Sequence, residues 1–214
     1  MKIDDKDKSR LKKYMAQDKR QLGIKHKNPR PFMDHIWKYE IELRKYEYWL
    51  NQNDTVFTKM MRFIYKFKHY RSGIKLGISI APNTCEMGLS IAHQGCIQIN
   101  DNAVCGKNLR IHEGVTIGAS GGIDAPCIGD NVFLGSGCKI IGRINISNDV
   151  TVGVGAVVVQ SVNGSGVTVT GVPAKIMSKK NSHKLVFWSN NGEYMSDIEN
   201  TDVNFATKKG KLRL

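Results

Sequence analysis

Apolar residues recur at every sixth position through the middle of the chain. Ile99, Cys105, Ile111 and Ile117 keep the spacing, which resumes after one break with Ile128, Leu134, Ile140, Ile146, Val152 and Val158. Four places on from these runs a second apolar series: Ala103, Leu109, Val115, then Val132, Cys138, Ile144, Val150, Ala156 and Val162. Glycine often follows the first series, at 106, 118, 129, 135 and 153. A period of six fits neither the 3.6 of a helix nor the two of an isolated strand. It fits a coil of short strands joined by tight corners, in which three hexads make one turn of 18 residues. Residues n and n+18 then stack at the roughly 4.8 Å spacing of neighbouring strands. One turn cannot bury its own interior, so stacking supplies the core. The pattern predicts a mainly β fold, a parallel β-helix over residues 76–180.

The break falls between Ile117 and Ile128, which are eleven residues apart instead of six. The five extra residues, within Gly-rich "ASGGIDAPC" (119–127), predict a loop bulging from a corner, where insertions in solenoids often meet ligands. Residues 1–75 have a different texture, basic and helical. "HIWKYEIELRKYEYWL" (35–50) places Ile36, Tyr39, Leu43, Tyr46 and Leu50 at helical spacing. "DTVFTKMMRFIYKFKHYR" (54–71) places Phe57, Met60, Met61, Ile64 and Phe67 on one side, with Asp54 positioned as a cap. That face is expected to pack on the following domain or on a partner subunit, with a peripheral membrane contact as the other use. Residues 181–214 hold one apolar patch, "KLVFW", and end in "KKGKLRL", which predicts a cap and a basic tail.

Composition narrows the partners. The formal net charge of +13 implies an acidic partner: a phosphate-rich cofactor, an anionic polymer or a membrane surface. Nucleic acid is not expected, because exposed aromatics should interleave with the basic residues and the repeat holds a single aromatic, Phe133. Five cysteines (85, 96, 105, 127, 138) show no metal-ligand spacing, and two occupy inward slots, so they read as reduced core thiols. No apolar run approaches the roughly 20 residues of a membrane span, and the charged N-terminus has no signal-peptide character, so a cytoplasmic location is expected.

Extending the six-residue lattice backwards from Ile99 puts His93 in an apolar slot, and Gly95 in "HQGC" would let the ring turn outward. His112 takes a corner position where this chain often has glycine, and Glu113 follows it. Two imidazoles and a carboxylate are therefore expected in one patch beside the 119–127 loop. Zinc is not expected, because only two histidines lie within the repeat and a trio of imidazoles would be needed.

The segments "SIAHQGCIQIN", "IHEGVTIGASGG", "IGDNVFLGSGCKIIG" and "VTVTGVPAKIM" resemble the hexapeptide-repeat acetyltransferases. The similarity is to the branch holding serine acetyltransferases and bacterial capsule or exopolysaccharide O-acetyltransferases, and it covers about residues 75–180. It implies a left-handed parallel β-helix, a homotrimer with acetyl-CoA in the groove between neighbouring prisms, and His93 as general base in direct transfer without a metal. It also implies cofactor contacts at Gly118, Ala119, Ser136, Gly155, Lys175 and Lys179. Where serine acetyltransferases carry two acids and a loop histidine, this chain has Ala92, Ser79 and Ala125. The expected acceptor is therefore a hydroxyl of a capsular or exopolysaccharide or its precursor, possibly acidic, with serine O-acetylation for cysteine biosynthesis as the alternative. An N-acetyltransferase acting on nucleotide sugars is disfavoured, because residues 1–75 lack a Gly-rich strand–turn–helix motif.

Overall fold

The computed structural model describes residues 8–187 of the 214. Among the described residues thirteen short strands wind into a parallel solenoid with three faces, preceded by three helices: α1 (Lys8–Gln21), α2 (His35–Leu50) and α3 (Val56–Leu76). One face stacks five strands in the order Ile78–Ile80, Ile97–Ile99, Thr116–Gly118, Lys139–Ile141 and Val157–Val158. The second holds Val104–Cys105, Cys127–Ile128 and Asn145–Ile146. The third runs Ser90–Ile91, Arg110–Ile111, Phe133–Leu134, Thr151–Val152 and Thr168–Gly171, closed by an antiparallel strand, Ala174–Ser178.

The pairing register shows the period directly. Ile99 pairs with Ile117, and Ile140 with Val158, each 18 residues on. Ile117 pairs with Ile140, 23 residues on, so the loop at 119–127 adds five residues without disturbing the stack. The aliphatic side chains meet in a dry column: Ile91, Ile111, Leu134 and Val152 are all fully buried. A polar ladder runs down one corner, where Asn108, Asn131 and Asp149 all take positive φ. Asn108 donates to Asn131 (2.8 Å), and Asn131 to Asp149 (2.9 Å). Gln17 and Gln21 of α1 donate to the top of this ladder, and His183 pairs with Asp149 at its foot (2.7 Å).

Three expectations change. The lattice extended back from Ile99 fails at the first turn, because Ile91 and not His93 pairs with Ile111. Ile91 to Ile97 takes six residues where Ile111 to Val115 takes four. The two extra residues bulge at a corner held by Gly95 (φ +119°) and Cys96 (φ +44°), and they leave His93 exposed. Second, α3 begins at Val56 and is capped by Thr55 in a reciprocal bond with Thr58, while Asp54 pairs with Arg62. Third, within this chain the expected apolar face of α3 is only partly covered: Met61 and Ile64 are half-buried, Phe57, Met60 and Phe67 are more than half exposed, and His69, Gly73 and Leu76 form the buried face.

Helix α1 lies outside the two expected helical stretches. It buries Tyr14, Asp18 and Gln21, and α2 buries Glu40, Arg44 and Glu47, so the junction between them is polar. Arg44 is 1% exposed, and its guanidinium pairs with Asp18 (2.7 Å) and Glu47 (2.9 Å) and donates to the carbonyls of Cys85 and Glu86 (2.8 Å each). Asp18 accepts from the Gly88 and Leu89 amides, and Glu40 from the Ile91 amide. The helices thus hold the backbone that leads into His93. At the other end a short helix, α4 (His183–Val186), seats Val186 and Phe187 on Phe133. The basic tail expected after it falls at residues 188–214, outside the described residues.

Candidate active site

His93 stands on the bulged corner, and the next turn brings His112 beneath it. Their rings meet edge to face with centroids 5.4 Å apart. Glu113 completes the cluster, and one donor atom from each of the three side chains lies within 4.8 Å of the others. The backbone fixes this arrangement: Gly114 N–H donates to the Gly95 carbonyl (3.0 Å), so the His93 corner sits directly on the Glu113 corner.

Each partner of His93 has a defined electrostatic state. His112 is half-buried, with its ring against the Phe133 ring at 5.0 Å and its Nδ1 3.4 Å from Ser136 Oγ. Burial, then the positive field of Arg110 and of His93, lowers its pKa, so it is neutral near pH 7. A hydrogen bond from the Ser136 hydroxyl lowers the pKa of Glu113, which remains a carboxylate. Its Oε2 is enclosed and has no hydrogen-bond partner. The Glu113 carboxylate thus sets a negative charge beside the His93 ring, next to a neutral His112.

The cluster also supplies two imidazoles and a carboxylate, a donor set that counting histidines alone does not reveal. That count leaves out Glu113.

The residues expected to touch the cofactor separate into two groups. Ser136 and Gly155 continue down the same corner as the cluster: Gly137 donates to Glu113 O (2.8 Å), and Gly155 to Ser136 O (2.9 Å). Ser136 thus also belongs to the cluster, through its bonds to His112 and Glu113. Gly118 and Ala119 lie at the opposite end of the Thr116–Gly118 strand, where the 119–127 loop leaves. Lys175 lies on the Ala174–Ser178 strand and Lys179 just beyond it, both exposed at the far end of the prism. Within one chain Ser136 and Gly155 therefore lie on a different edge of the prism from Gly118 and Ala119.

A cavity of about 400 Å³ lies between the α1–α2 connection and the first turn, and none of His93, His112 and Glu113 lines it. Trp37 and Ile91 help form its apolar wall, Lys25, His26 and Arg30 its basic side, and Gln94, the residue after His93, also lines it. Sequence reasoning did not reach this cavity, since it arises where a connecting segment folds back over the solenoid.

No family model matches the chain. The serine acetyltransferases of Staphylococcus aureus strain COL and of Staphylococcus epidermidis strain ATCC 12228 are 38% and 39% identical to it over 79 residues. Those matches cover 35% of this chain and 37% of each relative, so the chain matches little more than a third of the curated relatives' length. Among solved structures, the serine acetyltransferase of Brucella abortus strain S19 superposes with a TM-score of 0.65 at 24% identity, over 82% of this chain and 72% of that one. The fold is that of the serine acetyltransferases. A second structure of the Brucella protein, in complex with coenzyme A, superposes at 0.63 with 24% identity, over 81% of this chain and 70% of that one. The Neisseria gonorrhoeae serine acetyltransferase in complex with serine superposes at 0.58 with 26% identity, over 80% and 70%.

Proposed function

We propose that this chain is an acetyl-CoA-dependent O-acetyltransferase with His93 as its general base. The observation that carries the reading is the His93–His112–Glu113 cluster on an exposed corner of this fold. The His93 imidazole takes the proton of an acceptor hydroxyl as the oxygen attacks the thioester carbonyl carbon. The tetrahedral intermediate collapses with loss of the CoA thiolate, which recovers the proton from the imidazolium. The Glu113 carboxylate stabilises the imidazolium between the two steps. The cofactor would lie between neighbouring prisms of a homotrimer, with Ser136 and Gly155 of one chain facing Gly118 and Ala119 of the next. Such an arrangement would use both edges. Lys175 and Lys179 would meet its phosphates.

For the acceptor, the relatives speak for L-serine: those reported above are serine acetyltransferases, and one is a complex with serine. None is named for a polysaccharide, so that reading rests on this chain alone. The observations favouring a sugar hydroxyl are Ala92, Ser79 and Ala125 in place of the acids and histidine, together with a cavity beside Gln94 larger than serine needs.

The test is release of free thiol from acetyl-CoA, with L-serine and with acidic and neutral oligosaccharides in parallel. His93→Ala is expected to lower turnover by at least about 100-fold, the usual contribution of a general base, with CoA affinity retained. Turnover by His93→Ala equal to wild type would refute the assignment, and whichever acceptor supports turnover decides between the two readings.

A further inference from the structure

Helix α3 presents an apolar stripe that nothing among the described residues covers. Val56, Met60, Phe63, Phe67, Tyr70 and Ile74 follow one another at steps of four, three, four, three and four residues, which keeps them on one side of the helix. Their exposures run from 51% to 88%. The opposite side carries His69, Gly73 and Leu76 against α2 and the first strand, so the stripe faces directly away from the protein body.

The charges around the stripe identify what it meets. Between Val56 and Leu76 the helix has six basic residues, Lys59, Arg62, Lys66, Lys68, Arg71 and Lys75, and no acidic one. At about 100° per residue, Lys59 and Lys66 fall along one border of the stripe, and Arg71 and Lys75 along the other. All four are exposed. Long basic side chains on both borders of an aromatic and aliphatic stripe let the apolar groups sink while the ammonium and guanidinium groups stay at headgroup level. No described helix is long and apolar enough to cross a membrane, so this arrangement suits lying on one. A second copy of α3 packed on the same stripe would set basic borders against basic borders with no acid on either helix to relieve them. We propose that α3 is an interfacial helix that docks this protein on an anionic lipid surface through Phe63, Phe67 and their neighbours. The active-site corner would then work beside a bilayer, where a membrane-associated acceptor is presented.

The experiment is co-sedimentation of the untagged full-length protein with lipid vesicles. Vesicles with about 30% phosphatidylglycerol should bind it at least about tenfold more tightly than pure phosphatidylcholine, and added salt should weaken the binding. Phe63→Ser with Phe67→Ser, and separately Lys59→Glu with Lys66→Glu, should each lower that affinity about tenfold while circular dichroism and CoA binding stay unchanged. Equal binding to neutral vesicles, or none to either, overturns the proposal. So does a serine pair that breaks an oligomer in sedimentation velocity, since a second copy then covers the stripe. Catalysis is not read out, so failure of the transferase assignment would leave this result interpretable.

Discussion

Replacing Arg44 with methionine tests whether the buried polar junction, and not apolar packing, clamps the helices to the solenoid. The substitution keeps the length of the side chain and removes the guanidinium that pairs with both Asp18 and Glu47. Both carboxyls are about 2% exposed at the side chain. Burial already pushes each upward, against the pull of Arg44 and of the amide donors. Without the guanidinium, each must remain a buried uncompensated charge or take up a proton. Protonation sets the ceiling on the cost. From unfolded values near 3.9 and 4.3, holding both carboxyls neutral costs about 4.2 and 3.7 kcal/mol at pH 7, or about 8 together, but only about 2.5 at pH 5. Measured losses on breaking buried pairs, about 3–5 kcal/mol, fall below the ceiling at pH 7.

Urea unfolding of Arg44→Met should therefore show a deficit of about 3–5 kcal/mol at pH 7, or a melting temperature lower by about 6–20 °C for a chain of this size. The sign with pH follows from proton uptake. The variant's folded carboxyls have pKa values above their unfolded ones, so its stability falls as pH rises from the carboxylate range, and the deficit narrows toward pH 5. The triple change Asp18→Asn, Arg44→Met and Glu47→Gln removes the charges together and should recover most of the loss. A deficit under about 1 kcal/mol at pH 7, or one that does not change between pH 5 and 7, would refute the reasoning.

Three further substitutions probe other parts of the structure. Glu40 gives one oxygen to the Ile91 amide (3.1 Å), while its Oε2 has no partner, and burial raises its pKa well above the usual range. Its folded form therefore holds a proton that the unfolded chain releases. Stability should fall by up to about 1.4 kcal/mol per pH unit as pH climbs above the unfolded carboxylate value, and Glu40→Gln should flatten that slope in thermal melts across pH 5–8. A Cβ at Gly135 would stand 2.8–3.0 Å from backbone atoms of Val154, Val152 and Gly153 on the next turn, so Gly135→Ala should cost about 1–3 kcal/mol by chemical denaturation. Gly155→Ala meets nothing within 4 Å and bears only its φ of +66°, so its cost should be near 1–2 kcal/mol. If Gly155 lines the cofactor groove, calorimetry should show CoA affinity falling by more than stability does.

What could be read from the sequence divides along a physical line. The solenoid was legible because each turn repeats one steric demand, a large side chain inward and a tight corner after it, and the spacing records that demand directly. The five-residue loop was legible for the same reason, as a break in the count. Where the demand lapses, the count misleads. Two extra residues at the His93 corner shift the lattice, and only the pairing of Ile91 with Ile111 exposes the shift. His112 and Glu113, inside the regular repeat, needed no such correction. Helix α1 escaped because its inward face is Tyr14, Asp18 and Gln21, and a buried polar face leaves no apolar period, although the spacing of four and three was there to be read.

Helix α3 is the converse case. Its apolar spacing picked out Phe57, Met60, Met61, Ile64 and Phe67, of which only Met60 and Phe67 lie on the exposed stripe while Met61 and Ile64 are half-buried; spacing says nothing about whether a face meets protein. That depends on the opposite side of the helix, where Gly73 lets the chain pass close to the Ile78 carbonyl and His69 reaches the Ile80 carbonyl (3.0 Å). Those small and polar contacts look weaker than a row of phenylalanines in any hydropathy profile. They take the protein-facing side because His69 supplies a donor to the buried Ile80 carbonyl and Gly73 leaves room for the Ile78 carbonyl, where any side chain would clash. The phenylalanines are left outside, on a basic helix, and what they meet there must be found by experiment on lipid and not by counting residues.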